Sequence, residues 1–228
     1  MSERYLQLPG GRIRVLGPDL TFPPVEQALD DPNGLLAIGG DLSPQRLLAA
    51  YRHGIFPWFS TGQPILWWSP APRMVLYPQE LNISRSMRKR LKQQDYEVRY
   101  NTAFREVMQA CAETVRPDQD GTWITGPMIE AYATLQELGH ALSAETWIDG
   151  QLAGGLYGVR IGRMFFGESM FHRVSNASKI AFIHLVQELQ RQGCGLIDCQ
   201  MHTSHLASLG ARDIPRREFC RQLAELIE

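Results

Sequence analysis

The chain has 228 residues, 44% hydrophobic and 21% charged, with a formal net charge of −1. This is the make-up of a soluble globular protein of one large domain, or one domain with a small companion. It excludes a global attraction to nucleic acid, so that any RNA binding has to come from a local patch, and no apolar run reaches the roughly 18 residues that span a bilayer.

Residues 1–72 are rich in Pro and Gly, with turn signals at Gly10-Gly11, Gly17-Pro18, Pro23-Pro24, Asp31-Pro32-Asn33-Gly34 and Gly39-Gly40-Asp41. They predict a small N-terminal lobe shaped by turns more than by long elements. One helix stands out: Ser43 caps it, Pro44 takes its first position, Leu47, Leu48 and Tyr51 form its apolar stripe, and Gly54 stops it. Trp58, Trp67 and Trp68 follow within eleven residues. Trp67 and Trp68 fit a packed seam between this lobe and the rest. Trp58, in a turn between Pro57 and Phe59, suits a platform for a base.

From Arg73 the pattern changes, and 73–228 reads as a second domain. Residues 73–77 predict a strand. Ser84 caps a helix to about Gln93, on which Arg85, Arg88, Lys89 and Lys92 share one face, opposite Met87 and Leu91. Such a face is either solvated or a phosphate-binding stripe, because like charges at this spacing gain nothing without an anion. Asn101 is expected to cap a helix through Val115, and a polar loop, 116–121, leads into Thr122-Trp123-Ile124-Thr125. Gly126-Pro127 opens a helix with Met128, Tyr132, Leu135 and Leu138 on its apolar face. Strands at 141–148 and 151–159 form a hairpin across Asp149-Gly150. The next strand, Met164 to Phe171, is aromatic and carries Glu168 in its middle. Alternation puts Phe166, Glu168 and Met170 on one face, and Phe165, Gly167 and Phe171 on the other. Ser175 or Asn176 caps a long helix to Gln192. Strand 195–200, a short helix ending near Gly210 and an amphipathic helix with Phe219, Leu223, Leu226 and Ile227 complete the chain.

The fold class expected is α+β: a small lobe, then a mixed, mainly antiparallel sheet with one parallel neighbour and helices on its faces. A strand–helix–strand unit tends to set its strands parallel in one sheet. Glu168, Asp198 and Gln200 then converge on one pocket that receives something cationic. An ion pair between Glu168 and a buried Arg of the chain itself fits the same residues, because a carboxylate among apolar neighbours is costly unless paired.

Several chemistries find no support. Ser169 lacks a Gly-x-Ser-x-Gly setting and no cysteine sits in a loop with a patterned His. Cys199, His202 and His205 have ligand-like spacing but no fourth ligand, so no metal is expected. There is no Walker loop. Cysteines 111, 194, 199 and 220 show no CxxC spacing and no secretory leader precedes them, which predicts free thiols and a cytoplasmic location. The strand order suggests a GNAT-type acyltransferase core. Those enzymes cradle coenzyme A on a (Gln/Arg)-x-x-Gly-x-(Gly/Ala) loop after the central strand. Here residues 172–177 (HRVSNA) contain no glycine, and residues 151–156 (QLAGGL) end in Leu and lie within the earlier hairpin. The fold is expected to remain while the donor differs.

The segments 33–42 (NGLLAIGGDL), 54–59 (GIFPWF), 66–70 (LWWSP), 121–125 (GTWIT), 166–171 (FGESMF) and 196–200 (LIDCQ) closely resemble, in order, the leucyl/phenylalanyl-tRNA–protein transferase family. The resemblance implies a GNAT-like catalytic domain, a cytoplasmic bacterial enzyme and no cofactor. It implies transfer of Leu or Phe, and Met less well, from aminoacyl-tRNA to proteins with an N-terminal Lys or Arg, which marks them for N-end-rule degradation. The donor is an activated ester, so neither ATP nor coenzyme A is expected. The acceptor cation calls for an anionic pocket, supplied by Glu168 and Asp198. By resemblance Asp198 polarises Gln200, Gln200 contacts the attacking amine, Trp58 and Trp123 hold the terminal adenosine, and Tyr51 and Tyr132 line the entrance. The helix with Arg85, Arg88, Lys89 and Lys92 then contacts acceptor-stem phosphates. Leu156, Phe165, Met170 and Ile197 suit the donor side chain, with Leu156 standing where the family often has Met. A coenzyme A-dependent N-acetyltransferase and a non-catalytic module that grips aminoacyl-tRNA are the rival readings.

Overall fold

The computed structural model describes residues 4–93, 95–114 and 122–228. Strands β1 (Arg4–Leu8), β2 (Gly11–Leu16), β3 (Leu35–Gly39), β4 (Phe56–Pro57) and β5 (Leu66–Trp68) form one sheet in the order β1-β2-β3-β5-β4. The turn-rich reading of this region missed all five, β1 to β3 being the longest. Their signal was the short alternation Arg12-Ile13-Arg14-Val15, in which Ile13 is buried beneath the hairpin. Helix α1 (Pro44–Arg52) is built as expected, with Ser43 Oγ accepting the Arg46 N–H at 3.4 Å and Leu47 and Tyr51 buried.

Strands β6 (Arg73–Leu76), β7 (Glu97–Tyr100), β8 (Ala141–Ile148), β9 (Gln151–Ile161), β10 (Met164–His172), β11 (Leu196–Gln200) and β12 (Arg212–Ile214) form the second sheet, in the order β12-β6-β11-β10-β9-β8-β7. Only the β10–β11 pair is parallel, as the strand–helix–strand unit predicted. The helices are α2 (Arg85–Leu91), α3 (Phe104–Glu113), α4 (Gly126–Glu137), α5 (Ala177–Arg191), α6 (Ser204–Ser208) and α7 (Arg216–Leu226). The fold class is the expected one. The polar edge strands β7 and β12 were not anticipated. Asn101 is not a cap: its backbone is left-handed (φ 56°) and its Oδ1 accepts the Ser143 N–H. The amides ahead of α3 bond instead to buried Glu145, whose Oε1 accepts from Thr102 and Ala103 at 3.0 Å each. The predicted helix end at Val115 and the loop 116–121, with Gly121, lie outside the described residues.

Apolar cores cover both faces of the second sheet. One joins α3, α4 and α7 to the N-terminal lobe, so that Tyr51, Phe56 and Trp67 pack in one cluster with Tyr132, Phe166 and Phe219. The other packs α5 against Leu156, Phe165 and Ile197. Trp67 is fully buried in the first core and donates to the Gly39 carbonyl at 2.8 Å, and the Trp68 indole donates to the Trp58 carbonyl at 2.7 Å.

Two bulges break the alternation. Against β9, β10 shifts register between Gly167 and Ser169, so that Glu168 is the extra residue. A bulge sets two residues opposite one, and beyond it the faces exchange. Met170 therefore packs with Phe165 on the α5 side, while Phe166 and Phe171 share the other core. This corrects the expected sharing of a face by Met170 and Glu168. Against β6, β11 shifts between Asp198 and Gln200.

Fully buried Arg46 ties α1 to the loops around it. It donates to Asp41 Oδ2 at 3.2 and 3.1 Å, to the Asp19 carbonyl at 2.9 Å and to the Gly17 carbonyl at 2.8 Å. Arg46→Met strands two carbonyls and is expected to cost about 2–3 kcal/mol. The expected fall in melting temperature is roughly 4–12 °C, read by calorimetry; a shift under about 2 °C contradicts this account of the lobe.

Candidate active site

The parallel ladder between β10 and β11 ends at Phe166 opposite Asp198. Beyond that point β10 stays with β9 and β11 with β6, and the strands part. A cavity of about 350 Å³ is lined by the residues of this opening, among them Gly167 to Met170 on one strand and Ile197 to Gln200 on the other. Its size is that of a small-molecule site.

Glu168 lines the cavity, partly buried. Tyr51 of α1 donates to its Oε1 at 2.7 Å, Tyr132 of α4 to its Oε2 at 3.2 Å, and the Gln200 amide to its Oε1 at 3.0 Å. The two phenols also touch each other. Among the described residues no cation pairs with Glu168. Desolvation raises its pKa to about 7, and the charge of Asp198 adds to this, while the three donors oppose it. Burial holds both phenols well above their usual range, so they remain donors.

Tyr51 and Tyr132 are thus not at an entrance. Both are buried under Glu168, because each belongs to the apolar stripe of its helix. Sequence reasoning found the stripes but not the carboxylate they serve.

The ion pair considered for Glu168 belongs to Asp198 instead. Fully buried Arg73 of β6 donates from Nε and NH2 to Asp198 Oδ1 and Oδ2 at 2.8 and 2.7 Å. The charge of Asp198 is therefore taken, which corrects its expected role as a second anion for an acceptor. Nor does its carboxylate touch the Gln200 side chain: Oδ1 accepts the Gln200 backbone N–H at 2.9 Å, and Gln200 is left-handed at φ 64°. Arg73 was overlooked, although a single Arg opening an otherwise apolar strand, matched by a single Asp in another, is a signal of a buried pair.

The other wall is apolar. Leu156, Met170, Ile197, Phe182 and Leu206 line it. Phe165 does not reach the cavity. It is fully buried behind Leu156 and Ile197, its ring over Gly158, where a Cβ would stand 2.5 Å from Phe165 Cζ. Trp58 and Trp123 both line the cavity, half-buried, and Trp58 meets Trp68 edge-on at 5.4 Å.

Arg85, Arg88, Lys89 and Lys92 are exposed, as expected, and among the described residues none forms an ion pair. Helix α2 is shorter than predicted, ending at Leu91 with Lys92 as its C-cap, and its apolar side packs on Ile180 and Ile183 of α5. Among the described residues no three His, Cys, Asp or Glu are grouped to hold a metal. His202 pairs with Asp213 at 3.0 Å, and burial pushes the Cys199 thiol upward.

Three comparisons with known proteins place this chain among its relatives. The family model described as leucyl/phenylalanyl-tRNA protein transferase matches residues 75–224, and the model for the N-terminal domain of that transferase matches residues 40–71. Among curated relatives, the leucyl/phenylalanyl-tRNA–protein transferase of Nitrosomonas europaea is 64% identical over 214 residues, covering 94% of this chain and 90% of the relative. That of Chromobacterium violaceum is 65% identical over 210 residues, covering 92% and 90%. Solved structures are more distantly similar. A GCN5-related N-acetyltransferase from Kribbella flavida has a TM-score of 0.41 at 11% identity, covering 75% of this chain and 60% of its own. The L-PGS structure from Bacillus licheniformis has a TM-score of 0.42 at 15% identity, covering 90% and 73%. With both family models matched in order and such identity sustained along almost the whole chain, this protein belongs to the leucyl/phenylalanyl-tRNA–protein transferase family.

Proposed function

We propose that the cavity joins an aminoacyl ester to the N-terminal amine of a protein that begins with Lys or Arg. The donor is aminoacyl-tRNA carrying Leu or Phe, with Met accepted less well, and the product is marked for N-end-rule degradation in the cytoplasm. Residues 73–228 act as the catalytic domain and residues 1–72 as a supporting lobe. The observation that carries this reading is Glu168: a carboxylate with no cation of its own among the described residues, beside an apolar wall in one cavity.

Each part then has a task. Glu168 receives the acceptor's cation. The apolar wall of Leu156, Met170 and Ile197, backed by Phe165, takes the donor side chain. A hydrophobic pocket separates neighbouring side chains by only about 1–3 kcal/mol, which supports acceptance of three uncharged amino acids. Trp58 and Trp123 stack on the terminal adenosine. In the reaction the amine nitrogen forms a bond to the ester carbonyl, the bond to the ribose oxygen breaks, and the amine's proton ends on that oxygen. The α-amine has a reference pKa of about 7.7–8.0, so much of the rate comes from placing a neutral amine against an activated ester. Gln200 orients that amine.

A coenzyme A donor finds no support in the connection after β10. The amides of Arg173 and Val174 both donate to the Ala153 carbonyl, at 2.7 and 3.2 Å, and that of Ala177 to the Val174 carbonyl at 3.0 Å. Those three amides are used internally and are not free for a pyrophosphate. No cofactor is needed for aminolysis of an ester. The decisive assay is transfer from Phe-tRNA to a peptide beginning with Arg, with acetyl-CoA as the competing donor; acetyl transfer without aminoacyl transfer defeats the proposal.

Glu168→Gln is expected to lower kcat/KM for an Arg-starting peptide roughly 10- to 100-fold, with the Kd of Phe-tRNA changed less than about twofold. Equal losses in both quantities contradict the acceptor role. The pH dependence carries the same sign. Glu168 is raised to about 7, so below that pH it is protonated and loses its anion just as the amine gains its own proton. The acid limb of log kcat/KM should approach a slope of about 2 in the native enzyme and about 1 in Glu168→Gln; identical limbs rule out a titrating Glu168.

Helix α2 supplies phosphate contacts that carry no sequence information. Replacing Arg88 and Lys89 with Glu should weaken Leu-, Phe- and Met-tRNA alike and lower the slope of log K against log salt by about 1–2. An unchanged slope identifies α2 as a solvated surface.

A further inference from the structure

Arg73 is a fully buried charged group beside the site that the acceptor reading does not employ. It opens β6, is fully buried, and its guanidinium lies between the rings of Phe56 and Phe219, at 4.9 and 4.6 Å. Its NH1 has no hydrogen-bond partner among the described residues. The group is therefore held by the two rings and by its paired bonds to Asp198. Asp198 Oδ1 takes a second bond, from the Gln200 N–H. This bond falls at the β11 bulge, where Gln200 adopts φ 64°. A left-handed backbone costs a non-glycine residue about 1–2 kcal/mol and persists only where neighbours impose it. From that backbone the Gln200 amide reaches Glu168 Oε1 at 3.0 Å.

We propose that Arg73 is a positioning residue for the transfer reaction. Clamped by Phe56 and Phe219, it fixes Asp198, and Asp198 fixes the left-handed backbone that sets the Gln200 amide against Glu168 and the acceptor amine. The inference rests on the proposed function in that Glu168 and Gln200 meet the acceptor. Asp198 then acts by accepting a backbone N–H, and its charge serves Arg73 rather than the substrate. The clamp also crosses the molecule. Phe56 belongs to β4, two residues before Trp58, and Phe219 to α7, so the seating of the lobe and the placement of Gln200 are one arrangement.

Two double variants separate the hydrogen bond from the charge. Arg73→Met with Asp198→Asn removes both charges and keeps an acceptor for the Gln200 N–H. Arg73→Met with Asp198→Leu removes both charges and the acceptor. Turnover with Phe-tRNA and an Arg-starting peptide is expected to fall about tenfold in the Asn pair and a further 100-fold or so in the Leu pair, the latter matching a misplacement near 1 Å. The KM of the peptide should change less than about threefold in the Asn pair. If the Asn pair is as inactive as the Leu pair while melting near the native temperature, the charge of Asp198 is required and the proposal is overturned. Arg73→Lys keeps the charge but not the planar fork, and should lower kcat about tenfold or more with the peptide KM unchanged; undiminished kcat overturns the proposal even where neither double variant folds. A crystal structure of the Arg73→Lys protein gives a readout independent of turnover. Gln200 leaves the left-handed region or shifts its amide from Glu168 if Arg73 positions it, and retention of both contradicts the proposal. Absence of product with the native enzyme in the same assay defeats the acceptor reading itself, and that structure still tests the clamp.

Discussion

A largely desolvated carboxylate with only neutral donors around it is the constraint to which the rest of this molecule answers. Glu168 is met by two phenols and an amide, which can hold the group in place without cancelling its charge. A buried Arg in their stead would have satisfied the acid and closed the site. The neighbouring strand makes the opposite choice, for Asp198 is neutralised by Arg73. Two acids on adjacent strands are thus divided between structure and chemistry by their partners alone. The division is stable because the partners come from separate elements: α1 and α4 for Glu168, β6 for Asp198.

The geometry follows from how the two parallel strands separate. After Phe166 and Asp198 the ladder stops, and each strand carries a bulge at the residues that line the opening. A bulge re-aims a side chain without moving the strand. On β10 it turns Glu168 toward the tyrosines and Met170 toward the apolar wall, so adjacent segments of one strand line two sides of the cavity. On β11 it lets Gln200 bend back to Glu168. An unbroken pleat would have put Met170 on the acid side and left the apolar wall without it.

Much of this was readable in the chain. Helix α1 declared itself through Ser43, Pro44 and Gly54, the β8–β9 hairpin through Asp149-Gly150, and the parallel pair through the helix between two apolar strands. The bulges were not readable, because they depend on the partner strands β9 and β6 rather than on the residues that bulge. Local alternation consequently misassigned Met170. Tyr51 and Tyr132 offer the reverse lesson. Their apolar stripes already required burial, and the expectation that they line an entrance ran against that pattern. Arg73 was legible only as half of a pair, since a single Arg at the head of an apolar strand has no meaning until Asp198 is set beside it.

The closed connection after β10 bears on where donor affinity originates. Gly154 lets the start of α5 sit directly on β9, where a Cβ would stand 2.7 Å from that of Ala177, and the amides of Arg173 and Val174 turn into the Ala153 carbonyl. With those donors used internally, the connection itself has fewer amides to offer a phosphate group. Under the proposed function, a nucleic-acid donor is held by the two indoles at the cavity and by cationic side chains elsewhere. The first contribution is short-ranged and insensitive to salt, and the second is the reverse. The exposed cations of α2 lie on the opposite side of that helix from its packing against α5, free of competing carboxylates among the described residues. A net charge of −1 is compatible with the proposed RNA substrate, since a local patch of exposed cations such as that of α2 supplies attraction that the whole chain does not.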